Sequence, residues 1–155
     1  MPNFVKCGLI QASHACSTDE PLDTIKQANL AKHIPLIEQA ASEGVQVICM
    51  QEIFTGPYFC AEQTTRWYDS TEPIPDGPTT QLMQEIAKRH SMVIVVPIYE
   101  EESPGVYYNT AAVIDADIAN YMRQQIAVWI DTLLFRREIH AGDTQRVHRL
   151  LFDGR

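Results

Sequence analysis

The segment "VICMQEIFTGPYFC", Val47 to Cys60, begins as an apolar run and then places a carboxylate, Glu52, at the end of that run. A short apolar run of this kind predicts a buried strand, and the Gly56–Pro57 pair that follows it marks a turn. In open α/β sheets, ligands bind at the carboxyl ends of the strands. Glu52 is therefore a candidate site residue. The alternative interpretation is a solvated carboxylate at a strand end.

Strands and helices alternate along the chain on both sides of this segment. The stretch after Glu52 has no regular pattern and closes with "STEPIPDGPTT"; it is longer than most connections, which favours a functional loop. The alternation predicts an α/β fold with a mostly parallel sheet. The predicted elements are a strand over Val5–Gln11, a helix over Thr24–Ser42, a strand over Val45–Met50, a helix over Thr79–His90, a strand over Met92–Tyr99 and a hairpin strand over Val106–Asp115.

The overall charge and the apolar pattern exclude several classes of partner. A formal net charge of -8 argues against nucleic acid and anionic membranes, because both reward basic patches. No apolar run reaches the ~18 residues that a membrane-spanning helix needs. The start, "MPNFVKCGLIQ", lacks the charged and apolar regions of a signal peptide. These features predict a cytoplasmic protein that binds neither nucleic acid nor membrane.

The isolated reactive and charged side chains mostly have structural interpretations. The four cysteines are widely spaced, which predicts reduced structural thiols, with Cys7 and Cys49 inside buried strands. The run Glu100 to Glu102 is predicted to lie in an exposed turn with a solvated face. Four histidines are isolated in the sequence and are predicted to lie at the surface or to cap helices: His14, His33, His90 and His148.

Four segments together resemble the amino-terminal half of a nitrilase-superfamily carbon–nitrogen hydrolase. They are "VKCGLIQ", "GVQVICMQEIFTGPYFC", "IPDGPTTQLMQEIAKRHSMVIVVPIYE" and "GVYYNTAAVIDAD", which occur in this order over about residues 4 to 117. The wording "QEIFTGPYFCAEQ" is most similar to the branch of β-ureidopropionase and other N-carbamoyl amidohydrolases. The resemblance implies a truncated part of a nitrilase-type α-β-β-α sandwich, and full-length members of this family form homo-oligomers.

The resemblance also implies a chemistry and a set of site residues. Family members use a Glu-Lys-Cys triad without metal or organic cofactor, and Glu52 matches the glutamate that acts as general base. The substrate is a small-molecule amide or an N-carbamoyl amino acid such as N-carbamoyl-β-alanine. Shielding of Glu52 by Phe54, Tyr58 and Phe59 should favour its role as a base. Residues that match positions near the family's pocket are Tyr58, Tyr107 and Asn109; the alternative for them is core or strand-edge packing.

The rest of the triad is missing from the sequence. The last lysine is Lys88 and the last cysteine is Cys60, which lies eight positions beyond Glu52 and does not match the family's nucleophile. Residues 1–117 hold four Lys, two Arg and sixteen acidic residues, a net charge of -10. Residues 118–155 hold six Arg, no Lys and four acidic residues, a net charge of +2, which together with -10 gives the total of -8.

The change in net charge and composition after residue 117 predicts two regions, the hydrolase part at residues 1–117 and a divergent tail at residues 118–155. It favours a frameshift, a premature stop or a gene-prediction error over evolved divergence. The tail has helical spacing of Met122, Ile126, Trp129 and Leu133, and "RREIH" at 136–140 is interpreted as a solvated helix end rather than an anion or metal site. The alternative to an enzyme is an inactive remnant that misfolds or associates with a full-length relative through its helical face.

Overall fold

The computed structural model describes residues 4–62 and 64–115, and the backbone alone of residues 121–126. Its regular elements follow the predicted alternation of strands and helices. In chain order they are β1 (Cys7–Leu9), α1 (Leu22–Ser42), β2 (Val47–Cys49), α2 (Pro78–His90), β3 (Val93–Ser103), β4 (Val106–Ile114) and β5 (Tyr121–Ile126). Neither of these helices combines the length and the apolar character that crossing a membrane requires.

The five strands of the described residues form one sheet whose order, β1-β2-β3-β4-β5, is the order of the chain. β2 pairs in parallel with both β1 and β3, whereas β4 pairs antiparallel with both β3 and β5. The α/β class is confirmed, but the sheet is evenly mixed rather than mostly parallel. The predicted hairpin is present, and its turn is shorter than expected because β3 continues to Ser103 and Gly105 adopts a left-handed conformation (φ 81°).

Both helices cover the same face of the sheet. Even-numbered positions of the sheet strands, such as Ile48 and Ile94, are buried against α1 and α2, where Ile37 and Met83 are also buried. This is the alternation expected of strands with one face on the core. Other members of this main core are Met50, Phe54, Ile86, Ala87, Met92, Val96, Ala112 and Ile114.

The opposite face of the sheet is apolar and partly exposed, most strongly at β1. Leu9, on β1, has 75% of its surface exposed, and Val5 precedes it on the same side. Further apolar positions on this face are half-buried: Val47, Cys49, Val93, Pro97, Ala111 and Val113. Cys7 is exposed on this face too, so the prediction of a buried Cys7 is wrong. The reason is that Cys7 points away from the helices.

The long loop after Glu52 is packed rather than irregular. It contains two short 3-10 helices, Phe59–Ala61 and Thr65–Ser70. Phe59 stacks on Trp67 (ring centroids 5.7 Å apart) and packs against Tyr99 (4.9 Å). Together with Ile25 and Ile53, these rings form a second core under the loop.

Two glutamates are buried where the sequence predicted none. Glu72 accepts hydrogen bonds from the Thr79 backbone N (2.8 Å) and Oγ1 (2.6 Å), and pairs with Lys26 Nζ at 2.7 Å. Glu100 is fully buried and accepts from Thr110 Oγ1 at 2.5 Å. The prediction of a solvated Glu100 is wrong, because β3 extends past it and the strand alternation turns it to the helical side. Glu102 is exposed as predicted.

The backbone of residues 121–126 contradicts the helical spacing predicted for the tail. These residues form β5, with Ala112 of β4 opposite Arg123 and Ile114 opposite Tyr121. β4 has hydrogen-bonding groups to spare on its outer edge, and pairing satisfies them. The other tail predictions, including Trp129, Leu133, His148 and residues 136–140, lie outside the described residues.

Candidate functional site

Glu52 lies three residues beyond the end of β2, and its side chain is exposed. The aromatic shield predicted for it is wrong. Phe54 is buried in the main core and Phe59 in the second core, while Tyr58 has 56% of its surface exposed. The two phenylalanines therefore serve two separate cores, and the carboxylate of Glu52 remains in contact with solvent.

The chain turns sharply directly after Glu52. Ile53 has a φ of 48°, in the left-handed region that β-branched residues rarely adopt. Such a conformation costs about 1–3 kcal/mol and persists only where the surrounding structure imposes it. Here Ile53 is buried in the second core. The turn thus sends Ile53 inward and leaves Glu52 at the surface.

Asn109, on β4, contacts the Glu52 side chain. Its side-chain Nδ2 donates a hydrogen bond to Glu52 Oε1. Asn109 lies on β4, directly opposite Tyr99 of β3. The contact joins residues 57 positions apart in the sequence, so it belongs to the tertiary fold and not to a local turn.

Tyr58 and Cys60 complete a group that we call the Glu52 cluster: Glu52, Asn109, Tyr58 and Cys60. The nearby thiol of Cys60 is the main cause that raises the pKa of Tyr58, with smaller contributions from burial and from Glu52. Burial is the main cause that raises the pKa of Cys60; the charge of Glu52 raises it further, and a hydrogen bond with Tyr58 opposes the change. Cys60 is therefore a protonated thiol at neutral pH.

Tyr107, the remaining predicted pocket residue, packs into a row of aromatic rings. It stacks on Tyr68 with centroids 4.7 Å apart and lies 5.7 Å from Tyr99. These contacts favour the packing interpretation of Tyr107. The structure thus brings Glu52, Asn109 and Tyr58 together. It places Tyr107 among other aromatic rings.

Gln51, the residue before Glu52, is anchored to Ala12 and His33, contacts that the sequence did not predict. Its amide accepts from Ala12 N (3.0 Å) and donates to Ala12 O (2.9 Å), and its Oε1 lies 3.2 Å from His33 Nε2. His33 Nδ1 lies 2.8 Å from the carbonyl of Asn29. A buried histidine next to a strand end was detectable, because His33 falls on the same helical stripe as Ile25 and Asn29.

His33 is fully buried, so the prediction that it lies at the surface or caps a helix is wrong. The reason is that the polar groups of Gln51 and Asn29 provide partners for its ring inside the core. His14 is exposed as predicted, and His90 is half-buried in the last turn of α2.

Three of the four lysines of the described residues have partners away from the Glu52 cluster. Lys6 Nζ donates to the Glu43 carbonyl (2.5 Å), and Lys32 Nζ donates to the carbonyl and hydroxyl of Ser13 (2.7 and 2.9 Å). Lys26 pairs with Glu72. Across residues 4–62 and 64–115, no group of three His, Cys, Asp or Glu side chains is arranged to hold a metal ion. The described cluster offers a carboxylate base, an amide, a phenol and a neutral thiol.

Comparison with known proteins places this chain in a family. The Carbon-nitrogen hydrolase family matches residues 8–152. A β-ureidopropionase from Arabidopsis thaliana is 38% identical over 115 residues, which cover 73% of this chain and 28% of that protein. An N-carbamoylputrescine amidase from Solanum lycopersicum is 38% identical over 89 residues, which cover 57% of this chain and 29% of that protein.

Solved structures agree on the fold. A carbon–nitrogen hydrolase from Helicobacter pylori matches with a TM-score of 0.58 and 21% identity, over 77% of this chain and 39% of that chain. The chain thus spans less than a third of the two curated relatives and about two-fifths of the solved structure. Its mixed sheet with two helices on one face is a part of the fold that the solved hydrolase has. With a family match across most of its length, the chain belongs to the carbon–nitrogen hydrolase family.

Proposed function

We propose that this chain is the amino-terminal part of an N-carbamoyl amidohydrolase, in which Glu52 is the general base. The observation that carries the proposal is the Glu52 carboxylate, which lies beyond the carboxyl end of β2 and accepts a hydrogen bond from Asn109. The similarity to a β-ureidopropionase and to an N-carbamoylputrescine amidase supports a small N-carbamoyl compound, such as N-carbamoyl-β-alanine, as substrate.

The proposed reaction needs two groups beyond Glu52. Glu52 takes the proton from a cysteine thiol, and the thiolate attacks the carbamoyl carbon. A lysine stabilises the tetrahedral oxyanion, and ammonia leaves with the proton returned from Glu52, so that the substrate remains on the cysteine as an S-thiocarbamate. Water then hydrolyses the carbon–sulfur bond, which frees the thiol and releases an N-carboxy amino acid that loses CO2. The mechanism uses no cofactor. The proposal places the complete enzyme in the cytoplasm as a homo-oligomer.

The 155-residue chain supplies only one member of this triad. Its last lysine is Lys88 and its last cysteine is Cys60, a thiol that is protonated at neutral pH. Catalytic residues that act as a unit lose almost all of their rate advantage when partners are missing. We therefore also propose that this chain alone is inactive. The second candidate function, favoured by the same absence, is a non-catalytic remnant that associates with a full-length relative.

Ammonia release from N-carbamoyl-β-alanine tests both proposals. The 155-residue chain should release none, whereas a version joined in frame to a segment with the missing lysine and cysteine should be active. In that version Glu52→Gln should abolish turnover, since glutamine keeps the shape and loses the basicity. Glu43→Gln, at an exposed position after α1, is the matched control and should retain full activity.

Two outcomes of these assays would contradict the proposals. Ammonia release by the 155-residue chain would disprove its inactivity, and turnover by the joined Glu52→Gln variant would remove Glu52 from the role of base. Translating the coding DNA around the Asp117 codon in all three frames gives an independent check. A lysine segment and a cysteine turn in another frame would identify a frameshift at the predicted boundary between residues 117 and 118.

A further inference from the structure

We infer that Asn109 is a positioning residue for Glu52, whose amide holds one carboxylate oxygen and leaves the other to take up the proton. This inference rests on the proposed function of Glu52 as a base. It assigns Asn109 a role toward the catalytic carboxylate in place of the substrate contact that the sequence predicts.

The need for such a residue follows from the exposure of Glu52. A glutamate side chain free in solvent samples many rotamers, and ordering it costs up to about 2 kcal/mol. A base must be held within ~0.5 Å of its productive position. The rings expected to pack around Glu52 are buried elsewhere, since Phe54 and Phe59 belong to the two cores. A directional hydrogen bond supplies the constraint that packing does not.

Asn109 is well placed to supply this constraint, because its own backbone is fixed on both sides. On β4 it lies opposite Tyr99 of β3 and opposite Ile126 of β5. Sites built on strands hold their geometry better than sites built on loops. The side chain therefore reaches Glu52 from the middle of the sheet.

The chemistry of the contact also suits a base. An amide N–H can only donate, so Asn109 occupies Oε1 and does not compete with the carboxylate for a proton. Oε2 is then the oxygen left for proton transfer. The charge of Glu52 acts on Tyr58 and Cys60, so the carboxylate lies within electrostatic reach of the loop as well as of β4.

An NMR titration of the isotopically labelled 155-residue chain tests the contact. The side-chain amide signal of Asn109 should move through the acid range with the same midpoint as the carboxyl carbon of Glu52. The amide of Asn29 is an internal control, because it donates to the Thr55 carbonyl (3.2 Å), which does not titrate. In Glu52→Gln the Asn109 signal should become independent of pH.

Other titrating groups near Glu52 do not confuse this measurement. Tyr58 and Cys60 have raised pKa values and stay neutral throughout the acid range. Glu101, on β3, is a further carboxylate, but it accepts hydrogen bonds from Thr71 Oγ1 (3.4 Å) and Gly105 N (3.2 Å) and not from Asn109. The same spectra can be recorded on sedimented protein by magic-angle spinning, so association of the chain does not remove the readout.

Asn109→Leu separates positioning from simple packing. In the unmodified chain the three-bond couplings of Glu52 should show one dominant rotamer, and in Asn109→Leu they should average over several. In the active, joined version this substitution should lower kcat by about 100-fold with little change in KM. A substrate contact would instead raise KM.

An Asn109 signal that ignores the ionisation of Glu52, or a Glu52 rotamer that survives Asn109→Leu, would overturn the inference. The NMR results do not depend on turnover. If the Asn109 signal follows the ionisation of Glu52 but the joined Glu52→Gln variant is still active, Glu52 is not the base and the contact between Asn109 and Glu52 stands.

Discussion

Lys26 Nζ lies 2.7 Å from Glu72 Oε1, and this ion pair joins the first turns of α1 to the segment that precedes α2. Glu72 is only 3% exposed and Lys26 17%. The far end of the loop that carries Glu52 is thus tied to α1, just as Gln51 ties its near end to Ala12 and His33. Both ends of the loop are fixed by polar contacts, buried at Glu72 and partly buried at Gln51.

Replacing Lys26 should destabilise the fold strongly. Lys26→Met leaves the buried carboxylate of Glu72 without its cation, and losing one partner of a buried pair costs about 3 kcal/mol or more. We expect the midpoint of urea-induced unfolding to fall accordingly. The exposed pair of Arg89 and Glu38 (3.3 Å) is the matched control, and Arg89→Met should change stability by less than ~1 kcal/mol. Equal effects of the two substitutions would contradict a buried role for Lys26.

Gly77 should tolerate no side chain. A Cβ at this position would meet the Pro73 carbonyl oxygen and the Glu72 carboxylate, although its backbone conformation is an ordinary one. Gly77→Ala must therefore displace the backbone at Pro73 or the Glu72 carboxylate, at a cost of about 1–3 kcal/mol. Gly56→Ala places its methyl in open space and should change stability by no more than ~1 kcal/mol. Thermal melting of both variants measures the difference, and a neutral Gly77→Ala would refute the crowding at Glu72.

The reactivity of Cys60 should report on Glu52. Because its pKa is raised, chiefly by burial and further by Glu52, alkylation should be slow at neutral pH and accelerate only as the pH rises beyond the ordinary thiol range. Glu52→Gln removes the negative charge, lowers the pKa of Cys60 and should speed its alkylation by about threefold at a fixed pH.

Cys49 is the internal control for this experiment, since burial alone raises its pKa. Its alkylation rate should be the same with and without Glu52→Gln. Peptide mapping after timed treatment with iodoacetamide follows both thiols in one sample. A Cys60 rate that does not respond to the substitution would separate Glu52 from the cluster.

The open face of the sheet should make the 155-residue chain associate. Within the described residues β1 is an edge strand of the sheet, and exposed apolar side chains on an edge strand promote contacts between molecules, whereas lysine there suppresses them. We expect oligomers in size-exclusion chromatography with light scattering, and a smaller mass for Leu9→Lys. Leu36→Lys, on α1, should leave the mass unchanged. A sharp monomer peak of the unmodified chain would contradict this, and a response to Leu36→Lys alone would indicate association through the helical face.

Sequence periodicity predicted the regular elements well because burial on one face imposes it. Both helices begin within two residues of the predicted start and end where predicted, at Ser42 and His90. The errors arose where tertiary contacts override local pattern. Glu100 looked solvated in a run of three acidic residues, yet its alternation along β3 turns it inward.

The place of Glu52 beyond the end of β2 was predicted, but its environment was not. The strand end identified Glu52, and the family resemblance added Asn109, which contacts it. The left-handed turn at Ile53 separates the neighbouring aromatic residues between two cores, and no local pattern predicts that turn. Residues 121–126 show helical spacing in the sequence and form a strand, because the edge of β4 offers partners.

The agreement between sheet order and chain order bears on how the protein assembles during synthesis. Each strand of the described residues pairs with the strand made just before it, so every new strand adds to an edge that already exists. In chain order α1 comes between β1 and β2, and α2 comes between β2 and β3, so each helix can cover the sheet as it grows. Since domains fold from the amino terminus during translation, this part can form on the ribosome before any later segment is made. Nascent chains arrested after β4 should already protect the amides of β2 and β3 from hydrogen exchange.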